Sequence, residues 1–136
     1  MKHSPLFSKT YQFVAWIVPV TIKFPRQQRF VIAAALQRET LRFQELIIEA
    51  AHQREPLVVL TQADAELDKI RTHLRLALDL ELLKPGQYQH GAAMLVEMGK
   101  LLGGWIAKAK NPSKNEPENV QETKLSQAER GETPLL

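Results

Sequence analysis

An all-α, up-and-down four-helix bundle is what this chain of 136 residues predicts. Apolar residues recur at the three-and-four spacing of a helix face in four successive segments. No segment alternates with the period of two that a half-buried strand requires. Pro25, Pro56 and the Lys84-Pro85-Gly86 triplet fall where one periodic segment gives way to the next, and short connections of this kind make neighbouring helices antiparallel.

The first helix is predicted over residues 6–23, with Phe13, Ile17, Val20 and Phe24 on one side. Pro19 lies inside it and removes a backbone donor, so a kink or a break is expected there. The second begins at Phe24-Pro25, where proline suits a first helical turn. It carries one apolar set at Phe30, Ala33, Ala34, Leu41, Ile48 and Ala51 and another at Leu36, Phe43 and Ile47. It should end near Arg54, because Pro56 disfavours helix at Glu55; at 1.5 Å per residue it spans about 45 Å.

The third helix should start at Leu60 or Thr61, with Thr61 or Asp64 as its cap, and stop near Leu83. The fourth runs over residues 85–109. One of its stripes holds Tyr88, Ala92, Leu95, Leu102 and Ile106, and the other Met94, Met98, Leu101 and Trp105. Gly99, Gly103 and Gly104 each cost up to about 1 kcal/mol relative to alanine in a helix interior. Together they predict a close approach by another backbone, or a bend, with Trp105 covering the gap. Apolar residues on more than one stripe of the later helices predict a second packing surface, and hence a homo-oligomer.

Composition divides the chain into a bundle domain over residues 1–110 and a polar tail over residues 111–136. The first carries 15 Lys/Arg against 10 Asp/Glu, the second 3 against 5, so the net charge of +3 understates how basic the bundle is. The tail holds too little apolar surface to offset its ordering entropy and is expected to be disordered. Residues 13–22, the most apolar run, are about half the roughly 20 residues a membrane span needs. A cytoplasmic, non-membrane protein is the expectation, and the absence of cysteine rules out disulfides and thiolate metal sites.

Catalytic equipment is missing. There is no glycine-rich phosphate loop, no G-x-S-x-G and no cysteine nucleophile. Glu49 and His52 have the Glu-x-x-His spacing of di-iron bundles, but His3, His73 and His90 lack a glutamate three residues upstream. No metal, cofactor or enzymatic activity is therefore expected.

The candidate binding residues are arginines. Arg71 and Arg75 are one helical turn apart beside the leucine stripe of the third helix. Asp68 can pair with Arg71, and Asp79 with Arg75, giving a neutralised solvated face; the competing reading is contact with phosphate or carboxylate. Arg38 and Arg42 repeat the spacing on the second helix, with Glu45 and Glu49 within reach. Arg26 and Arg29 lie beside Lys23 at the start of that helix with fewer acidic neighbours, where unpaired amides favour an anion. Lys100, Lys108 and Lys110 add charge along the last helix.

Two stretches carry a resemblance. Phe24-Pro25-Arg26-Gln27-Gln28-Arg29-Phe30 before a long helix, and Leu83 to Tyr88 leading to Met98-Gly99-Lys100-Leu101-Leu102-Gly103-Gly104-Trp105-Ile106, resemble the four-helix-bundle superfamily of ribosomal RNA intervening-sequence proteins. Within it, Asp64-Ala65 through Ile70-Arg71-Thr72-His73-Leu74-Arg75-Leu76-Ala77 resembles the accessory variability determinant proteins of diversity-generating retroelements. The resemblance covers roughly residues 6–109. It implies a homopentameric barrel of bundles that binds the element's reverse transcriptase and its template RNA or cDNA. It also implies a non-enzymatic role in mutagenic retrohoming. The basic surface it implies falls on Arg71 and Arg75, with Arg26 and Arg29 in the Pro-x-x-x-Arg motif. The other superfamily member in view is an interaction protein tied to ribosomal RNA intervening sequences, without a polymerase partner.

Overall fold

The computed structural model describes residues 4–111, and within them α1 (Pro5–Ile22), α2 (Ala34–Ala51), α3 (Leu57–Asp79) and α4 (Pro85–Lys110) are the long helices. No strand occurs among the described residues. Each helix packs on the one before it, and α4 closes back on α1, which is the four-helix bundle that the periodicity predicts. The disordered tail expected over residues 111–136 lies, beyond Asn111, outside the described residues.

Ser4 caps α1, its Oγ accepting the Leu6 N–H at 3.2 Å, and Pro5 occupies the first turn, where its missing donor costs nothing. Leu6, Thr10, Phe13, Ile17 and Thr21 form the buried stripe. Of the kink or break expected at Pro19, the break does not occur: α1 continues through it to Ile22. The proline sits in the last turn, exposed, and the carbonyl that loses its donor belongs to Ala15, itself exposed to water. Thr21 then ties α1 to α2: its hydroxyl donates to the Ile17 carbonyl at 2.8 Å and accepts from Gln37 Nε2 at 2.9 Å.

The second helix does not start as a regular α-helix at Phe24-Pro25. Pro25 is extended, a 3₁₀ turn covers Arg26–Gln28, a π turn covers Arg29–Ala33, and α-geometry begins only at Ala34. Through the wide turn Ile32 and Ala33 face the core, while Phe30 and Val31 face outward. Further along α2, Leu36, Phe43 and Ile47 point inward with Leu46 and Ala50; Leu41, Ile48 and Ala51 of the other apolar set stay at the surface. The helix stops at Ala51, short of Arg54. The His52 ring Nδ1 lies 3.0 Å from the Ile48 carbonyl, one of the carbonyls the helix end leaves open.

α3 starts at Leu57, directly after Pro56, and neither Thr61 nor Asp64 caps it. Thr61 is already inside, its hydroxyl donating to the Leu57 carbonyl at 2.9 Å. The helix ends at Asp79 in a Schellman motif: the Glu81 N–H reaches the Leu78 carbonyl at 2.9 Å and the Leu82 N–H the Ala77 carbonyl at 2.8 Å. Leu80–Leu83 therefore belong to the cap and not to the helix. Glu81 holds the left-handed position, with φ 62°, where glycine is the favoured residue. Glu81→Gly should raise the unfolding free energy by about 0.5–1 kcal/mol in a urea titration.

In α4 the two apolar stripes merge into one broad core face. Gly91, Leu95, Met98, Leu102 and Trp105 are buried, flanked by half-buried Tyr88, Met94, Leu101 and Ile106. The glycines do not mark the close backbone approach expected of them. A Cβ at Gly103 or Gly104 would meet nothing within 4 Å, and Trp105 turns instead onto Phe7 of α1, ring centroids 6.0 Å apart. None of the helices described is long and apolar enough to cross a membrane.

Candidate functional site

The candidate arginines fall on surfaces of different character. On α3, Leu60, Ala63, Leu67, Ile70, Leu74 and Ala77 are drawn into the core at alternating three and four spacing, which turns Asp68, Arg71, Thr72, Arg75 and Asp79 outward. Both arginines are ion-paired. Arg71 Nη1 is 2.7 Å from Asp68 Oδ1 and Arg75 Nε is 3.0 Å from Asp79 Oδ1. The Asp79 hydrogen bond and charge, with a smaller contribution from Tyr88, hold the Arg75 guanidinium above its ordinary value. Pairs this exposed contribute little to stability, so a partner can displace the aspartates at small cost. What they do is neutralise: the α3 face presents guanidinium donors with almost no net charge.

Arg42 on α2 behaves in the same way, with Nη1 3.6 Å from Glu45 and 3.4 Å from Glu49. Arg38, its neighbour one turn back, is exposed and has no acidic partner among the described residues.

The second surface is the α1–α2 corner. Lys23, Arg26 and Arg29 lie within seven residues, all exposed, and none has an acidic partner among the described residues. Here the chain switches from 3₁₀ to π geometry, so these exposed cations do not follow the regular spacing of a single α-helical face. Phe30 is 87% exposed among them, with Val31 and Ile22 close in sequence and also open to solvent. Uncompensated positive charge beside an exposed aromatic ring suits a polyanion with flat bases.

Sequence reasoning missed one polar pair inside the bundle. Glu39 of α2, 5% exposed, meets His73 of α3, with 2.8 Å from the ring Nδ1 to the carboxylate. It joins α2 to α3 across the bundle. The sign was present in the sequence: Glu39 falls on the inward face between Leu36 and Phe43, where a carboxylate needs a partner. Glu49 and His52, the pair with di-iron spacing, are both exposed; Glu49 is engaged with Arg42, and His52 with the Ile48 carbonyl. No group of three or more metal-ligating side chains is assembled among the described residues.

A family model described as bAvd-like matches residues 6–109, that is, all four helices. The chain belongs to the bAvd-like family. No curated protein matches it. The matched span of this bAvd-like bundle contains every candidate arginine: Arg26, Arg29, Arg38, Arg42, Arg71 and Arg75. It closes at Ala109, before the polar tail, where the apolar periodicity also closes.

Proposed function

We propose that this bAvd-like chain is a non-enzymatic accessory protein of a diversity-generating retroelement. It docks the element's reverse transcriptase and engages the template RNA or its cDNA in support of mutagenic retrohoming. The observation that carries the reading is the family match across the whole bundle, residues 6–109. The two surfaces divide the work. Arg71 and Arg75, already held by aspartates and close to Leu76 and Leu80, which are also exposed, suit a protein interface in which acidic groups of the polymerase exchange with Asp68 and Asp79. Lys23, Arg26 and Arg29, with Arg38 further along α2, suit phosphates. The protein works in the cytoplasm as a homo-oligomer, five copies closing a barrel; the exposed Val31, Leu41, Ile48 and Val58 supply apolar surface for those contacts.

The nucleic-acid half is tested by titrating the template RNA at several salt concentrations. Replacing Lys23, Arg26 and Arg29 by glutamine should weaken binding about tenfold or more at physiological salt. It should also flatten the slope of log K against log[salt] by about 2, which is three single-strand contacts at roughly 0.7 each. An unchanged slope would remove the corner from the interface.

A further inference from the structure

Gly99 is a helix-interior glycine with a neighbour that the other glycines of α4 lack. A Cβ at this position would collide with Nη2 of Arg71 and come within 3.7 Å of Arg71 Cζ and of Leu67 Cδ2. Gly103 and Gly104, in the next turn of the same helix, have open space above them, and Gly86 has nothing within 4 Å. Gly91 is closed by Trp16 and Leu74, an apolar contact inside the core. Only at Gly99 among the described glycines does the missing side chain make room for a charged group. The Arg71 side chain therefore crosses from α3 onto the bare backbone of α4, while its Nη1 is held 2.7 Å from Asp68 Oδ1 on its own helix.

We propose that Gly99 is a positioning residue for Arg71: at this place in the helix any larger residue would displace the guanidinium from its seat. The inference rests on the reading of Arg71 as a contact to the reverse transcriptase. An exposed pair three residues apart leaves a long side chain free to swing. A second wall, supplied by α4, restricts it to one arc, and a guanidinium so restricted loses less freedom when it forms its fork of hydrogen bonds. The colliding atoms are the far end of a flexible chain, so alanine at 99 is accommodated by moving Arg71 rather than by moving a helix. Stability and binding should then respond in opposite directions.

The test is a double-mutant cycle over Gly99→Ala and Arg71→Ala, read twice: as Tm of the purified protein and as affinity for the immobilised reverse transcriptase. Gly99→Ala alone should keep or raise Tm, because alanine favours helix, while affinity falls about tenfold. In the Arg71→Ala background the same substitution should raise Tm by a few degrees more than it does in the wild type and leave affinity unchanged. Equal Tm gains in the two backgrounds would overturn the seat. Wild-type affinity of Gly99→Ala beside impaired Arg71→Ala would overturn the positioning role. Wild-type affinity of Arg71→Ala would instead reject Arg71 as a contact, and the Tm cycle would still decide the seat separately.

Discussion

Phe43→Ala should lose about 3–5 kcal/mol of unfolding free energy, while Phe30→Ala changes it by less than about 0.5 kcal/mol in the dissociated protomer. Both are phenylalanines in the same stretch of chain, and both belong to apolar sets with helical periodicity. Phe43 is fully enclosed between α2 and its neighbours, so truncation leaves a cavity on top of the lost transfer energy. Phe30 leaves the π turn into solvent and has little to lose. A urea titration of each variant checks the pair. Comparable losses would mean that the inward face of α2 has been assigned to the wrong set. A loss at Phe30 that grows with protein concentration would mark it as a contact between copies.

That contrast shows how far the sequence could be read. Four helices, their order and the ends of α4 followed from periodicity and from Pro56 and Lys84-Pro85-Gly86, because those signals are local. Which of the two apolar sets of α2 faces the core did not follow, since both repeat at helical spacing and only the neighbouring helices choose between them. The chemistry of Pro19 predicts a kink or a break, and the break does not occur. The helix can continue through Pro19 because it falls in the last turn with a water-facing Ala15 carbonyl behind it. The corner at residues 26–33 was legible as a helix start but not as a 3₁₀ turn followed by a π turn, which propensity does not encode.

The candidate site was legible in its parts and not in its connections. Pairing of Arg71 with Asp68 and of Arg75 with Asp79 followed from helical spacing, and both bonds are present. The Glu39–His73 pair joins residues 34 apart, and the Gly99–Arg71 seat joins two helices; spacing along the chain carries neither. The three glycines near the end of α4 looked alike as a group, yet Gly99 accommodates a guanidinium while Gly103 and Gly104 face open space. The family resemblance puts Arg71 and Arg75 first, while the residues themselves already place Arg26 and Arg29, beside Lys23, at a helix start with few acidic neighbours; among the described residues these three have no acidic partner, which suits phosphate.

The largest functional effect is expected on α3. Reversing Arg71 and Arg75 to glutamate leaves the core untouched, because both residues are exposed, Arg71 lying over Gly99 of α4, and the ion pairs they lose are worth little. Each reversal places a carboxylate beside an existing aspartate and repels an acidic partner. Co-purification with the reverse transcriptase of the proposed retroelement, wild type against the double reversal, is the deciding measurement. A stable complex with the wild type, lost with a double variant that keeps its helical circular dichroism, is the predicted result. A wild-type protein that does not associate with the reverse transcriptase, with or without the template RNA, would contradict the accessory role itself.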